Sequence, residues 1–365
     1  MNNQLDGIIS HDELLLTAHS IAALQQPNGM IPWFTNGHCD PWNQVETAMA
    51  LDTMGLHENS RRAYKWLADI QRPDGSWYNY YLPDGSIEDH KLDTNVCAYI
   101  GTGVWHHWLV TQDESFITQM WPTVKRAIGW VLSMRRHDGT ILWAREVNES
   151  PWDYALLTGS SSIRHALHCA ANLGALIGQA QPEWRAAADT IDNIIATDLS
   201  AFEPKLRWAM DWYYPALTGA LTGAEAKDRL AGQWDEFVID QRGVRCVSDE
   251  QWVTAAETAE CAIAHLAIGD IDTARDLLSW TRAHRNDDGS YLTGIVYPNR
   301  IVFPADESSA YTGAAVILVA DAIATITTAS KLFLTSTVID YTRRRTRSDP
   351  VAETSKNKPL AIAGR

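Results

Sequence analysis

The chain has 365 residues, 45% of them apolar, and a formal net charge of −15. That is enough apolar material for a large core, in two ordinary domains or in one closed repeat fold. An acidic body of this kind repels nucleic acid and anionic lipid; it suits a neutral or cationic ligand, or serves solubility alone.

From the start of the chain, MNNQLDGIISHDELLL has no basic start followed by an apolar run, so no signal peptide is expected. No apolar stretch reaches the 18 residues of a membrane span. A cytoplasmic location is the resulting expectation. Five cysteines (Cys39, Cys97, Cys169, Cys246, Cys261) are scattered without Cys-x-x-Cys spacing, which argues against a disulfide framework. Sixteen tryptophans exceed the needs of core filling, because each indole needs room and a partner for its N–H.

Apolar periodicity predicts about twelve helices, near 11–24, 41–55, 58–71, 92–111, 114–136, 153–179, 183–198, 210–220, 223–239, 250–268, 271–285 and 307–328. Strand signals are short and fall chiefly in 291–303. Four segment ends look alike: AALQQPNGMIPW (22–33), ADIQRPDGSW (68–77), LSMRRHDGTILW (132–143) and TRAHRNDDGSY (281–291). Each leaves a helix through an Asp/Asn-Gly turn, and an aromatic follows within a few residues. Such repetition marks stacked helical hairpins. Six hairpins predict an all-α fold, the (α/α)6 toroid, as one domain over 1–330. The helices ending in that turn alternate with helices rich in Ala, Gly and Thr, such as AETAECAIAHLAIG (256–269). Small residues allow crowding around an axis, so the alternate set is placed inside. The remainder, 331–365, contains YTRRRTRSD and reads as a basic, flexible, solvated tail.

The segments leading into the inner helices are HCDPWNQVE (38–46), EDHKLDTN (88–95), EVNESPWDY (146–154), WAMDWYY (208–214), VSDEQW (247–252) and FPADESSAY (303–311). All six hold carboxylates, and four pair one with a tryptophan: Trp42, Trp152, Trp212 and Trp252. If the inner helices run parallel, these segments meet at one end. Helix capping accounts for many of the acidic residues taken singly. It does not call for an indole beside each. Flat aromatic faces with carboxylate acceptors suit a sugar.

Glycoside hydrolysis needs two carboxyl groups in different environments. Glu149, between Trp143 and Trp152, is the expected general acid if burial raises its pKa, with Glu146 as the alternative. Asp306 or Glu307, entering the last inner helix, suits the base, and Asp40 competes for that role. Trp42, Trp77, Trp152, Trp212 and Trp252 are the expected sugar platforms. Asp93, Trp143, Asp153, Asp211, Glu250 and Glu307 complete the expected substrate contacts.

The stretches LDTNVCAYIGTGVWHHWLVTQDESFITQMWPTVKRAIGWVL (92–132), ILWAREVNES (141–150) and SSAYTGAAVILVADA (308–322) resemble the six-hairpin glycosidases, above all glucoamylase-like and glycogen-debranching-like enzymes. The resemblance covers about 12–328. It implies a hydrolase acting on a glucan-like or related saccharide, with the general acid in the loop after Trp143. In that family two acidic residues follow the tryptophan directly. Here the positions are Ala144 and Arg145, and the nearest acids are Glu146 and Glu149. The stretch comparable to the family's base motif, YLTGIVYPNR (291–300), has no carboxylate.

YKWLADIQRPDGSW (64–77) also resembles the Gln-Trp repeat of squalene-cyclase-like and prenyltransferase-like toroids. Their Asp-x-Asp-Asp acid and zinc ligands have no counterpart in this chain. A non-catalytic saccharide-binding toroid is the third reading. His106 and His107 are neighbours on one helix and point apart, and His165 with His168 has no obvious acidic third ligand. No metal and no cofactor are expected.

Overall fold

The computed structural model describes residues 3–334. In chain order the helices are α1 (His11–Leu24), α2 (Pro41–Thr53), α3 (His57–Ile70), α4 (Thr94–Ala98), α5 (Ile100–Thr111), α6 (Glu114–Ser133), α7 (Leu157–Leu176), α8 (Pro182–Thr197), α9 (Ala209–Leu217), α10 (Gly223–Gly232), α11 (Trp234–Phe237), α12 (Ala255–Ala267), α13 (Ile271–Trp280) and α14 (Ala310–Ala324). The strands are β1 (Tyr80–Tyr81), β2 (Ile87–Asp89), β3 (Leu92–Asp93), β4 (Ala144–Arg145), β5 (Val238–Ile239), β6 (Gly243–Arg245), β7 (Trp252–Thr254), β8 (Gly294–Val296) and β9 (Ile301–Val302).

The expected (α/α)6 toroid is the fold. Helix α2 packs on α5, α5 on α7, α7 on α9, α9 on α12 and α12 on α14, and α14 returns to α2. Helices α1, α3, α6, α8, α10 and α13 stand outside this closed ring. Composition explains the assignment. Along α2 only Asn43 escapes full burial, as a helix surrounded by other helices requires. Outer α3 buries one stripe, Ser60, Ala63, Tyr64, Trp66 and Leu67. Close approach within the ring needs small residues. A Cβ on Gly103 would lie 2.4 Å from Val45 Cγ1 on α2.

The repeated turns are joints between hairpins. Gln71 Nε2 donates to Gly75 O inside its own turn and to Thr123 O on α6, at 2.9 and 3.0 Å. Gly75, at φ +98°, lies so close to the Arg126 carbonyl that a Cβ would sit 2.3 Å from it. Gln25 ties the first turn to Asn59 of α3 in the same way. The third turn meets Thr190 of α8, and the last meets Leu16 of α1, closing the outer ring. Trp77 is the bolt of the second joint, with its indole N–H on Leu67 O at 2.8 Å.

Two departures from the expected elements matter for the site. Residues 252–254, expected at the start of a helix, form β7 at the centre of an antiparallel sheet ordered β5-β6-β7-β8-β9. The pairing of β7 with β6 and β8 extends the chain up to Thr254, so α12 begins only at Ala255. At the opposite end of the ring the chain leaving α14 folds back under it. Leu332 is buried there, its carbonyl accepts from His165 Nε2 at 3.0 Å, and Phe333 stacks on His165. The basic run at 341–349 lies outside the described residues.

Candidate active site

The inner helices all start at one end of the ring, and their caps gather there. Asp40 caps α2, directly before Pro41 at the first helical position. Its carboxylate accepts from the Asn43 backbone N–H at 3.0 Å, the Asn43 amide at 2.6 Å and the Trp33 indole at 2.8 Å. Trp33 is itself fixed by its carbonyl, which accepts from Ala310 N at 2.7 Å, and by edge contacts with His38, Tyr80 and Tyr311. Asp40 is 4% exposed. Burial pushes its pKa above the usual carboxylate range, and the donors from Asn43 and Trp33 only partly offset this.

Asp93 repeats the device at the start of α4. It accepts from Asn95 N at 2.9 Å and from the Trp143 indole. Pairing of β3 with β4 sets Asp93 opposite Ala144 and so brings Trp143 to it. Lys91 Nζ lies 3.8 Å from the Asp93 carboxylate and over the Trp143 ring. Burial again raises the Asp93 pKa, against the pull of Lys91. Tyr80 lies near both aspartates; burial and the charges of Asp40, Asp89 and Asp93 push its hydroxyl pKa up. Its ring stacks on His38, whose Nδ1 is 2.7 Å from Glu88.

Deeper along the axis Trp42 stacks on Tyr99, with ring centroids 3.7 Å apart and planes 7° from parallel. Glu257, in the first turn of α12, accepts from the Thr254 hydroxyl and faces Tyr311, Tyr213, Cys246 and Glu46. One turn further in, Glu260 accepts from the Tyr213 and Tyr214 hydroxyls. The axis therefore holds carboxyl groups from α2 and from α12, walled by tyrosine and tryptophan.

The structure sorts the residues expected from the sequence. Asp40, Trp42, Asp93, Trp143 and Trp152 gather at this end, with Trp152 edge-on to Trp143 at 4.9 Å. Asp211, in the first turn of α9, accepts from Thr158 at 3.2 Å, and burial raises its pKa. Glu307 is half-buried and accepts from Thr293 at 2.8 Å. Others lie elsewhere. Glu149 is exposed, because Trp143 and Trp152 close on each other and leave it outside; the burial expected of it is absent. Glu146 is half-buried in the same loop. Asp306 is exposed, on a groove between α1 and α14. Asp153, with its side chain 98% exposed, pairs with Arg136, and Glu250 is exposed.

Trp77 and Trp212 are each 1% exposed. Both indoles serve hairpin joints, Trp212 through Arg229 O, so neither is available as a sugar platform. Trp252 lies on the five-stranded sheet, over Gly294, with its N–H on Phe303 O. Glu46, Glu257 and Glu260 were not foreseen. Their signal was a charge inside an otherwise small, apolar inner helix. Outside the ring axis, Asp189 and Asp192 of α8 do approach His168, but Arg164 Nε already holds Asp192 at 2.6 Å.

A closed double ring of helices, with buried acidic groups and indoles gathered where the inner helices begin, defines the six-hairpin glycosidases. Solved structures agree on the fold. A wild-type glycosidase superposes with a TM-score of 0.67 over 88% of this chain and 100% of its own, at 13% identity. A bacterial glucoamylase complexed with acarbose gives 0.68 over 88% of this chain and 57% of its own, at 10% identity. No family profile matches the chain. It is 44% identical over 327 residues to the MMP endo-(1,4)-3-O-methyl-alpha-D-mannosidase of Mycolicibacterium hassiacum, covering 90% of each chain. The chain belongs to the glycoside hydrolase family of that enzyme. These relatives are glycosidases and lend the prenyltransferase reading no support.

Proposed function

We propose that this glycoside hydrolase cleaves internal α-(1,4) bonds in a chain of 3-O-methylmannose, with Asp40 as general acid and Glu257 as general base. The substrate rests on the 44% identity to an enzyme of that name, and it narrows the glucan-like or related saccharide expected from the sequence. The catalytic pair rests on one observation. Asp40 and Glu257 are carboxyl groups of two inner helices that reach the axis where the aromatic walls of the mouth converge. An acid must keep its proton near neutral pH, and burial moves the Asp40 pKa in that direction. A base must reach water and stay ionised. Half-buried Glu257, in the first turn of α12, has the access to water.

Asp93, Lys91 and His38 supply acceptors and donors for sugar hydroxyls around the pair. Trp143 and Trp152 offer faces for C–H groups and for the apolar methyl ethers. The saccharide is the only partner this reading requires.

The test is incubation with α-(1,4)-linked 3-O-methylmannose oligosaccharides and mass analysis of the products. Shorter methylated fragments are expected from the native chain. Asp40→Asn should retain turnover only on substrates with a good leaving group, and Glu257→Gln should regain turnover with azide. Intact methylmannosides beside a cleaved α-glucan would overturn the substrate. Full activity in both variants would overturn the pair.

A further inference from the structure

The catalytic pair leaves two buried carboxyl groups of the axis unused. Glu260 lies one turn below Glu257 on α12, and Glu46 lies below Asp40 on α2. Both line one small cavity with Tyr99, Tyr214 and Phe333. It offers about 10 Å³, close to the lower bound for a single water. Phe333 comes from the segment that folds back under the ring, so this cavity lies on the side away from the mouth.

The chemistry of the surroundings is one-sided. Asp40 faces Glu46 from the cap of α2, Glu257 faces both from α12, Tyr214 from α9 and Tyr99 from the joint of α4 and α5, while Cys261 of α12, Tyr213 of α9 and Cys246 after β6 face Glu260. Among the described residues no lysine, arginine or histidine lines the cavity. Two carboxylates facing each other without a cation do not both ionise. The donors tell them apart. Glu260 accepts two hydroxyls, Tyr213 at Oε2 and Tyr214 at Oε1, which is what an anion needs. Glu46 takes a hydrogen bond from the Trp42 side chain, and burial and the Glu260 charge push its pKa well up, so it is the one that keeps the proton.

We propose that Glu46 and Glu260 hold one proton between them and are positioning residues for the reaction, keeping a single negative charge one turn beneath Glu257. The proposal rests on the assignment of Asp40 and Glu257 as the catalytic pair. The charge strengthens Glu257 as a base and disfavours loss of the proton from Asp40, so it serves both steps without touching substrate. It also explains why an inner helix built for close approach spends two positions on glutamate. Burial holds the Glu260 pKa up near 7 against the two tyrosine hydrogen bonds, so this charge responds to pH near neutrality.

Two experiments test this on the full chain. Infrared difference spectra over a pH titration need no substrate. The carboxylic-acid band at neutral pH should lose one group's intensity in Glu46→Gln. In the kcat/KM profile, Glu260→Gln should move both limbs to lower pH by about 0.5–1 unit, with KM unchanged. Tyr214→Phe keeps the volume and serves where Glu260→Gln fails to fold. It removes one donor, reduces the charge near neutral pH and should move both limbs the same way by less. An undiminished band in Glu46→Gln would overturn the shared proton. Unmoved limbs in both Glu260→Gln and Tyr214→Phe would overturn the positioning role. Absence of turnover in the native chain would strike the catalytic reading and leave the infrared result standing.

Discussion

Helix α2 carries a buried aspartate at each end, and the two are treated in opposite ways. Asp40, at the mouth, is held by an indole, an amide and a backbone N–H, all neutral donors. Asp52, at the far end, meets His107 Nδ1 at 2.8 Å, His57 Nδ1 at 3.0 Å and Ser60 Oγ at 2.7 Å. Burial pushes both upward. At Asp52 the histidine bonds outweigh burial and leave the pKa below the usual range; at Asp40 nothing does. A carboxylate that only holds structure is given partners able to carry positive charge. Asp40, the acid proposed above, is hydrogen-bonded by neutral donors, and the nearby His38 does not outweigh its burial. The position on the ring decides which of the two a sequence-identical residue becomes.

That contrast can be broken first by substitution. Asp40→Asn should cost about 10²–10⁴-fold in kcat/KM, the range for a lost general acid, while the melting temperature barely moves. Asp52→Ala should do the reverse. Stripping His107 and His57 of their shared partner should cost about 3–5 kcal/mol in denaturant unfolding, with near-native activity per folded molecule. If Asp52→Ala proves neutral in stability, the far-end network is not the anchor described here.

The pH dependence of stability sharpens the same comparison. Burial lowers His106 and His284 to about 4 and His165 to about 3, so all three stay neutral when folded. The unfolded chain takes up their protons below about 6.5. Stability should therefore be full above that value and fall as pH drops from about 6.5 towards 4, by up to about 1.4 kcal/mol per unit for each histidine. Asp52, whose pKa is depressed, adds a loss that begins below about 3.9, as pH falls through its folded value. Chemical denaturation at a series of pH values reads both, and a flat profile between 7 and 4 would contradict the first.

A smaller effect separates the indoles. Trp33→Phe removes one of the donors that partly offset burial at Asp40. The Asp40 pKa should rise further, so the alkaline limb of the activity profile should move to higher pH. Trp77→Phe loses a neutral bond to Leu67 O in a hairpin joint. About 1 kcal/mol of stability should go, with the pH profile unchanged.

Much of the architecture was legible because it is written in local rules. An Asp-Gly turn with a following aromatic closes a helix whatever surrounds it, and small residues on all faces mark a helix meant to be crowded. Parallel inner helices then force their lead-in segments to one end, and Asp40, Trp42, Asp93 and Trp143 were found by that logic. The acid was not. Glu149 stands between two tryptophans in the sequence, yet those rings pack on each other and turn it outward. Trp77 and Trp212 follow the same composition rule as the mouth residues and are buried in the joints instead.

By itself, then, the sequence determined the double ring and which end of it would be acidic, since both follow from periodicity, turn chemistry and the parity of the hairpins. Only the tertiary structure decided which carboxyl groups are deprived of water and of cations. That depends on what faces a side chain from other hairpins, as Tyr213 and Glu46 face Glu260 across the axis. Burial and charge pairing are properties of that meeting and set a pKa far more than neighbours in the chain do.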